Sequence, residues 1–420
     1  MTRVDEGPVT RQTDLLPASE QRTLRSSVQA YVGRLRAGDV GMLPVVVGLL
    51  LIAVVFQVLN ANFLTANNLV NLLVQGSVYI LIAIGTVYVL MIAEVDLSVG
   101  FVAGIAGVVT ANLLSTAAVN VWVACALGIG AAALCGLVQG LVITALNLPS
   151  FVVTLGGQLA FMGVMLIILG DGGTLPINNP EFLSLANGVL PTTVGWILMT
   201  LFVAAFAASS LLKRRRLQAA NRPVPALALL IAHIAVIAVF GTALMLLFSI
   251  DRGRVTSVTG VPVVILIVGA VLVLGTFLLD RTRFGRYVRA VGGGPEAARR
   301  AGIAVKRIRL YVFVLSGVAA GIGGLVLASR LHSVSTNLQG GQLVLYCIAA
   351  AVIGGTSMFG GRGKVIHALL GGLVIAGIDN GMGLLGLPAA VKFVVTGLVL
   401  LLAVSIDAIA RRNRTAAGLA

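Results

Sequence analysis

Glu94 and Asp96 stand two residues apart in the run Glu94-Val95-Asp96-Leu97-Ser98-Val99-Gly100, with strongly apolar sequence on both sides. An ionised carboxylate in a bilayer costs at least ~2.5 kcal/mol, so the pair needs a reason. Two are open and compatible. The carboxylates, with Ser98 and Gly100, line a watery path or brace a gate, or Asp96 is the N-cap of the next helix at the membrane boundary. Other chemistry is thin. His233, His332 and His367 stand at no metal-ligand spacing with a carboxylate or cysteine, and no G-x-S-x-G elbow occurs. Cys125, Cys135 and Cys347 lie in apolar stretches and read as small buried hydrophobes. Gly363 and Lys364 have Met358 where a P-loop needs its first glycine, and Val365 follows. The G-x-G-x-x-G spacing of Gly381, Gly383 and Gly386 ends an apolar span instead of joining a strand to a helix. The expectation is a chain that is not an enzyme and has no metal, cofactor or ATP site of its own.

Two further stretches carry signals. Gly354-Gly355-Thr356-Ser357-Met358-Phe359-Gly360-Gly361-Arg362-Gly363-Lys364 follows a short apolar run. It is either a simple turn or part of a discontinuous helix at a pathway, with Thr356 and Ser357 as its polar groups. The segment 280–309 holds nine Lys or Arg against Asp280 and Glu296. Within it, Pro295 and Glu296 suit the first turn of a short helix and Gly302 its termination. Such a helix, parallel to the membrane, has the shape of a docking element; a solvated charge run is the plainer alternative.

The elements that position these residues follow from hydropathy. Of 420 residues 58% are hydrophobic and 10% charged, against roughly 25% charged in a soluble domain. Mean hydropathy is +1.06, which leaves no room for a sizeable soluble domain. Twelve runs approach the ~20 residues that cross a bilayer: about 41–59, 69–93, 97–116, 119–146, 150–170, 193–212, 224–250, 261–279, 310–328, 341–353, 365–386 and 388–409. The tenth is too short to span unaided, so it borrows from the glycines after it or is broken, with its break buried. The fold class is thus all-α, a polytopic transmembrane bundle of about 12 spans. Glycine pairs four apart (Gly100/Gly104, Gly136/Gly140, Gly317/Gly321, Gly377/Gly381) let helix backbones approach closely.

With both termini in the cytoplasm, 25 of the 29 basic residues share that side: the six of the first 42 residues, Lys213–Arg216 with Arg222, the nine of 280–309, Arg362, Lys364 and the last three arginines. Arg252, Arg254, Arg330 and Lys392 fall outside. The formal charge of +15 then points to anionic lipid, not to nucleic acid. Residues 1–42 read as a polar cytoplasmic tail, 43–410 as the membrane domain and 411–420 as a second cytoplasmic tail.

Glu296-Ala297-Ala298, with Gly302 four residues after the second alanine, resembles the coupling-loop motif of bacterial ABC importer permeases. The Asp96–Gly100 and Gly354–Ser357 stretches resemble the ribose/xylose-type monosaccharide permeases, and Ile375–Leu387, with Asp379-Asn380-Gly381-Met382, is most similar to the xylose-type members. The resemblance covers about 45–170 and 260–410. It implies the ABC importer permease fold in a bacterial inner membrane, pairing as a homodimer around the pathway. It also implies a cytoplasmic ATPase subunit that binds the ATP and an extracytoplasmic sugar-binding protein. Pro295, Glu296, Ala297, Ala298 and Gly302 are the coupling candidates it marks, and Asn380 joins the pathway candidates. Residues 193–250 add two spans beyond the shorter ribose-type members; the longer xylose-type members are similar in length, which favours a pentose such as xylose.

Sugars need hydrogen-bonding groups, and Asn112, Gln139, Asn147, Gln158, Gln339, Gln342 and Asn380 lie in or beside spans. Aromatics are only 5%, which suits low-affinity passage. Two other readings stay open. An ion-coupled secondary transporter would use Glu94 or Asp96 as a proton relay, but has no need of the basic segment with Glu-Ala-Ala. The other is an ABC permease for a different solute, such as branched-chain amino acids or autoinducer-like sugars.

Overall fold

The computed structural model describes residues 43–116, 119–220, 222, 224, 227–253, 257–336 and 340–416. The expected tail 1–42, Arg254 and Gln339 lie outside them. In chain order the helices are α1 (Leu43–Leu59), α2 (Ala66–Met91), α3 (Val99–Thr116), α4 (Val121–Leu146), α5 (Ser150–Leu169), α6 (Pro180–Asn187), α7 (Thr192–Ala219), α8 (Leu227–Ser249), α9 (Val263–Arg281), α10 (Arg283–Gly293), α11 (Pro295–Arg300), α12 (Val305–Leu331), α13 (Gly340–Ile353), α14 (Ile366–Leu384) and α15 (Ala389–Ala416). Four short strands pair antiparallel, β1 (Thr174–Pro176) with β4 (Ser333–Ser335) and β2 (Val189–Leu190) with β3 (Val261–Pro262).

Each of the twelve apolar runs is a helix. Among the described residues nine are long and apolar enough to cross a membrane, and three more, Leu43–Leu59, Gly340–Ile353 and Ala389–Leu402, are shorter. Two stretches are more helical than expected, the basic run after the sixth span and the 280–309 segment, where a single short helix from Pro295 is expected. Lys213–Arg216 continue α7, and the 280–309 segment holds α10 as well as α11.

The described residues fall into two compact units. One, Thr193–Leu246, is a helix pair in which Gly241 of α8 lies against Met199 of α7. Its large side chains are mostly exposed, Ile197, Leu201, Phe202, Val236 and Phe240 among them, as lipid contact requires. The other comprises the described parts of 40–192 and 247–420. Its centre is α12, which packs on α2, α3 and α4, while α13 and α14 pack on each other and on α2. Where α12 crosses α4, a Cβ on Gly136 would overlap the Phe313 carbonyl, and one on Gly317 the Ala132 carbonyl. Small residues set this approach because apolar burial cannot drive helices together in lipid.

The short tenth run proves to be a buried one. At ~1.5 Å per residue, the 14 residues of α13 reach only about 21 Å. Its ends lie against protein, where backbone that leaves the helix can find partners.

Candidate functional site

Helix α2 ends at Met91, and Ala93 takes a left-handed conformation with φ 60°. The chain then runs non-helically through Ser98 inside the bundle, and its backbone is met by side chains. The Val95 amide donates to Ser150 Oγ at 3.2 Å and the Leu97 amide to Thr154 Oγ1 at 3.1 Å. Asp96, 3% exposed, accepts three hydrogen bonds. Oδ1 takes the Ser98 amide at 3.0 Å and the Ser98 hydroxyl at 2.7 Å, and Oδ2 takes the Ser316 hydroxyl of α12 at 3.1 Å. The Gln139 amide of α4 donates to Ser98 Oγ at 2.8 Å. Glu94, its side chain 11% exposed, pairs with Arg309 at 3.0 Å. Burying a carboxylate is tolerable only with partners of this kind.

Asp96 is therefore not the cap of α3. The carbonyl of Ser98 accepts the Phe101 and Val102 amides and begins that helix, while Asp96 sits two residues earlier and points at α12. The arrangement is a brace joining the 92–98 segment to α4, α5 and α12. Gly100 closes it on the far side, where a Cβ would overlap the Gly340 carbonyl at the start of α13.

The two other stretches arrive at this end of the bundle. The Gly361 amide donates to the Met91 carbonyl at 2.9 Å, and a Cβ on Gly292 would overlap that same carbonyl. Thr356 is buried, with Oγ1 3.2 Å from His367 Nδ1. The Ser357 amide donates to the Arg362 carbonyl at 3.0 Å, and Ser357 Oγ accepts from the Phe359 amide. So 354–364 is a folded turn joining α13 to α14, which run back side by side with Gly371 against Ala350 and Gly354 against His367; it is not a discontinuous helix. Beside it, α11 starts at Pro295, exposes Glu296 and Ala297, and buries Ala298. Glu296 pairs with Arg299 at 2.9 Å, and Gly302 is exposed with φ 81°. Helix α10 was not foreseen. Its signal was Phe284, Val288 and Val291 at helical spacing after Thr282, whose Oγ1 accepts the Gly285 amide at 3.2 Å.

Asn380 belongs elsewhere. Its side-chain amide exchanges hydrogen bonds of 2.8 and 3.1 Å with that of Asn68, a buried tie between α14 and α2. Its neighbour Asp379 faces a cavity of about 450 Å³, lined also by Gln75 and Tyr79 of α2, Gln342 and Tyr346 of α13, and Lys392 of α15. Asp379 accepts hydrogen bonds from the Gln75 amide and, at 2.8 Å, from the Tyr79 hydroxyl, with Lys392 Nζ 3.6 Å from its other oxygen. The Gln342 amide donates to the Tyr346 hydroxyl at 2.5 Å, and the Tyr79 and Tyr346 rings meet edge to face at 5.3 Å. Gln75 lies 16 residues of α2 from Met91, about 24 Å along the axis. A second cavity, about 400 Å³, shares Arg330 and Leu331 with the first and is lined by Asn67, Asn71, Asn187 and Arg252. Of the sugar-binding candidates among the described residues, only Gln342 lines the first cavity; Gln139 is in the brace and Asn147 ends α4 in a left-handed conformation.

Long apolar helices, a buried charge brace and a polar cavity inside the bundle together define a multi-pass membrane permease. The chain belongs to the family described as branched-chain amino acid transport system / permease component, whose model matches residues 68–404. It is 36% identical over 359 residues to the xylose transport system permease protein of Escherichia coli (strain K12), covering 84% of this chain and 87% of that one. It is 32% identical over 348 residues to the D-allose transport system permease protein of the same strain, 82% and 84% of the two chains. To that strain's ribose import permease protein it is 29% identical over 361 residues, 86% and 92%. No solved structure matches.

Proposed function

We propose that this chain is the membrane subunit of an ATP-binding-cassette importer and forms the passage for a monosaccharide, with a pentose such as xylose as its substrate. The observation that carries this is the likeness, over more than four-fifths of the chain, to permeases named for xylose, allose and ribose. The family description names amino acids, but a cavity bounded by Asp379, Lys392, Gln75 and Gln342 suits hydroxyl groups better than an apolar side chain.

In this reading ATP is bound and hydrolysed by a separate cytoplasmic ATPase subunit. Helix α11, with Pro295, Glu296, Ala297, Ala298 and Gly302, is its contact. The brace around Glu94 and Asp96 and the loop with Thr356 and Ser357 carry the movement into the bundle. An extracytoplasmic sugar-binding protein delivers the substrate, two copies of the chain pair, and anionic lipid surrounds them. Both termini face the cytoplasm, with tails at 1–42 and 411–420 flanking the membrane domain 43–410. Charge asymmetry supports that orientation.

The test is uptake into vesicles holding this chain with its ATPase and binding protein, using labelled xylose, ribose, allose and leucine. ATP-dependent xylose uptake is the expected result. Leucine uptake would favour an amino-acid importer, and gradient-driven uptake without the ATPase an ion-coupled transporter.

A further inference from the structure

We propose that the cavity between α2, α13, α14 and α15 is where the passing sugar is held, and that Asp379 and Lys392 grip two neighbouring hydroxyls of it. This rests on the importer reading and adds the site and its chemistry.

The geometry of Asp379 carries the argument. One carboxylate oxygen is fixed by the Gln75 amide and the Tyr79 hydroxyl. Among the described residues the other meets only Lys392 Nζ, at 3.6 Å, which is beyond a hydrogen bond. Among the described residues the Lys392 ammonium has no hydrogen bond. An acceptor with open lone pairs thus stands in an ion pair with a three-proton donor, at a separation longer than a direct hydrogen bond. A vicinal diol fits this: one hydroxyl donates to the carboxylate while its neighbour's oxygen accepts from the ammonium. The pair carries no net charge, and its dipole is oriented to meet one donating and one accepting hydroxyl of a neutral polyol.

The surroundings agree. Gln75 and Tyr79 lock the carboxylate before any ligand arrives, which lowers the ordering cost of binding. Gln342 adds a further amide, and Tyr79 and Tyr346 bring two of the chain's six tyrosines to one wall. The volume lies within the roughly 300–1,000 Å³ usual for small-molecule sites. Arg330 and Leu331 line both this cavity and the second one, so the two adjoin. Arg330 also brings a positive charge beyond the balanced pair, and a sugar acid is the ligand that charge alone would favour.

The experiment uses the full transporter in vesicles, with the binding protein saturated by each ligand: xylose, its monodeoxy analogues and the corresponding aldonic acid. For the wild type, removing one hydroxyl of the gripped pair is expected to lower uptake at least tenfold. In Lys392→Gln, xylose uptake falls by a similar factor and the same deoxy analogue loses little more, because residue and hydroxyl report one contact. Asp379→Asn is the parallel variant. Should it fail to fold, Lys392→Gln, whose ammonium holds no other group in place, decides the matter if its melting temperature is that of the wild type. Wild-type uptake of xylose with folded variants equally active, or with the deoxy penalty unchanged in them, overturns the site alone. Preference for the aldonic acid overturns the ligand class. Wild-type vesicles inert to every sugar overturn the importer reading and the site with it.

Discussion

Asp96 organises the brace because three donors, two from Ser98 beside it and one from Ser316 on α12, converge on its two oxygens. Replacing it by leucine strands the Ser98 amide and the Ser316 hydroxyl in a dry interior, at about 1–3 kcal/mol each. Asn has the same shape and keeps an acceptor. Asp96→Leu is therefore expected to melt well below the wild type in detergent or to fail to assemble, whereas Asp96→Asn should melt within a few degrees of it and retain most transport. Equal loss of transport in two well-folded variants would mean that the negative charge itself is required. The sequence marked Asp96 as costly and left a brace or a helix cap open, but could not name its partner, since Ser316 is 220 residues away and no local pattern points to it. Asp379 and Lys392 were hidden for a similar reason. Each is one charge in an apolar run, and only the packing of α14 against α2 and α15 makes them a pair.

Helix α11 shows what a short element can report. Gly302 is exposed with φ 81°, and a side chain there would meet nothing within 4 Å in this chain. Asn and Asp both tolerate that backbone better than most residues and differ mainly in charge. Gly302→Asn is thus expected to keep sugar-stimulated ATP hydrolysis and uptake within about twofold, while Gly302→Asp, placing a carboxylate at the partner contact, uncouples hydrolysis from uptake. Arg281→Gln should change little, a lone exposed charge being worth under ~1 kcal/mol. If Gly302→Asp keeps full uptake and full ATPase association, α11 is not the coupling element. Helices were the most legible feature of the sequence, because long apolar runs leave the backbone no other way to pair in lipid. Helix α10 escaped notice since Arg283, Arg286 and Arg289 dominate its composition, and Gly285, Gly292 and Gly293 lower its helix propensity.

For the molecule as a whole, orientation is the property that charge predicts and geometry leaves to experiment. Cysteine introduced at Arg215 is expected to resist an impermeant thiol reagent in intact cells, while cysteine at Ser257 reacts; both positions are exposed. Equal labelling would overturn the twelve-span arrangement. The brace also bears on how the chain is made. A ribosome adding about 5–20 residues per second needs roughly 10–45 s to travel from Asp96 to Ser316. Arg309, the partner of Glu94, emerges only slightly earlier in the same interval. Throughout that time Asp96 has its local bonds from Ser98, but neither carboxylate has its partner on α12, so α2 and α3 can enter the bilayer while the segment between them has reason to linger at its watery surface. The first half of the chain is then an unfinished product whose final burial waits on α12, and a nascent protein stalled before that helix would present quality-control proteases with an exposed acidic segment.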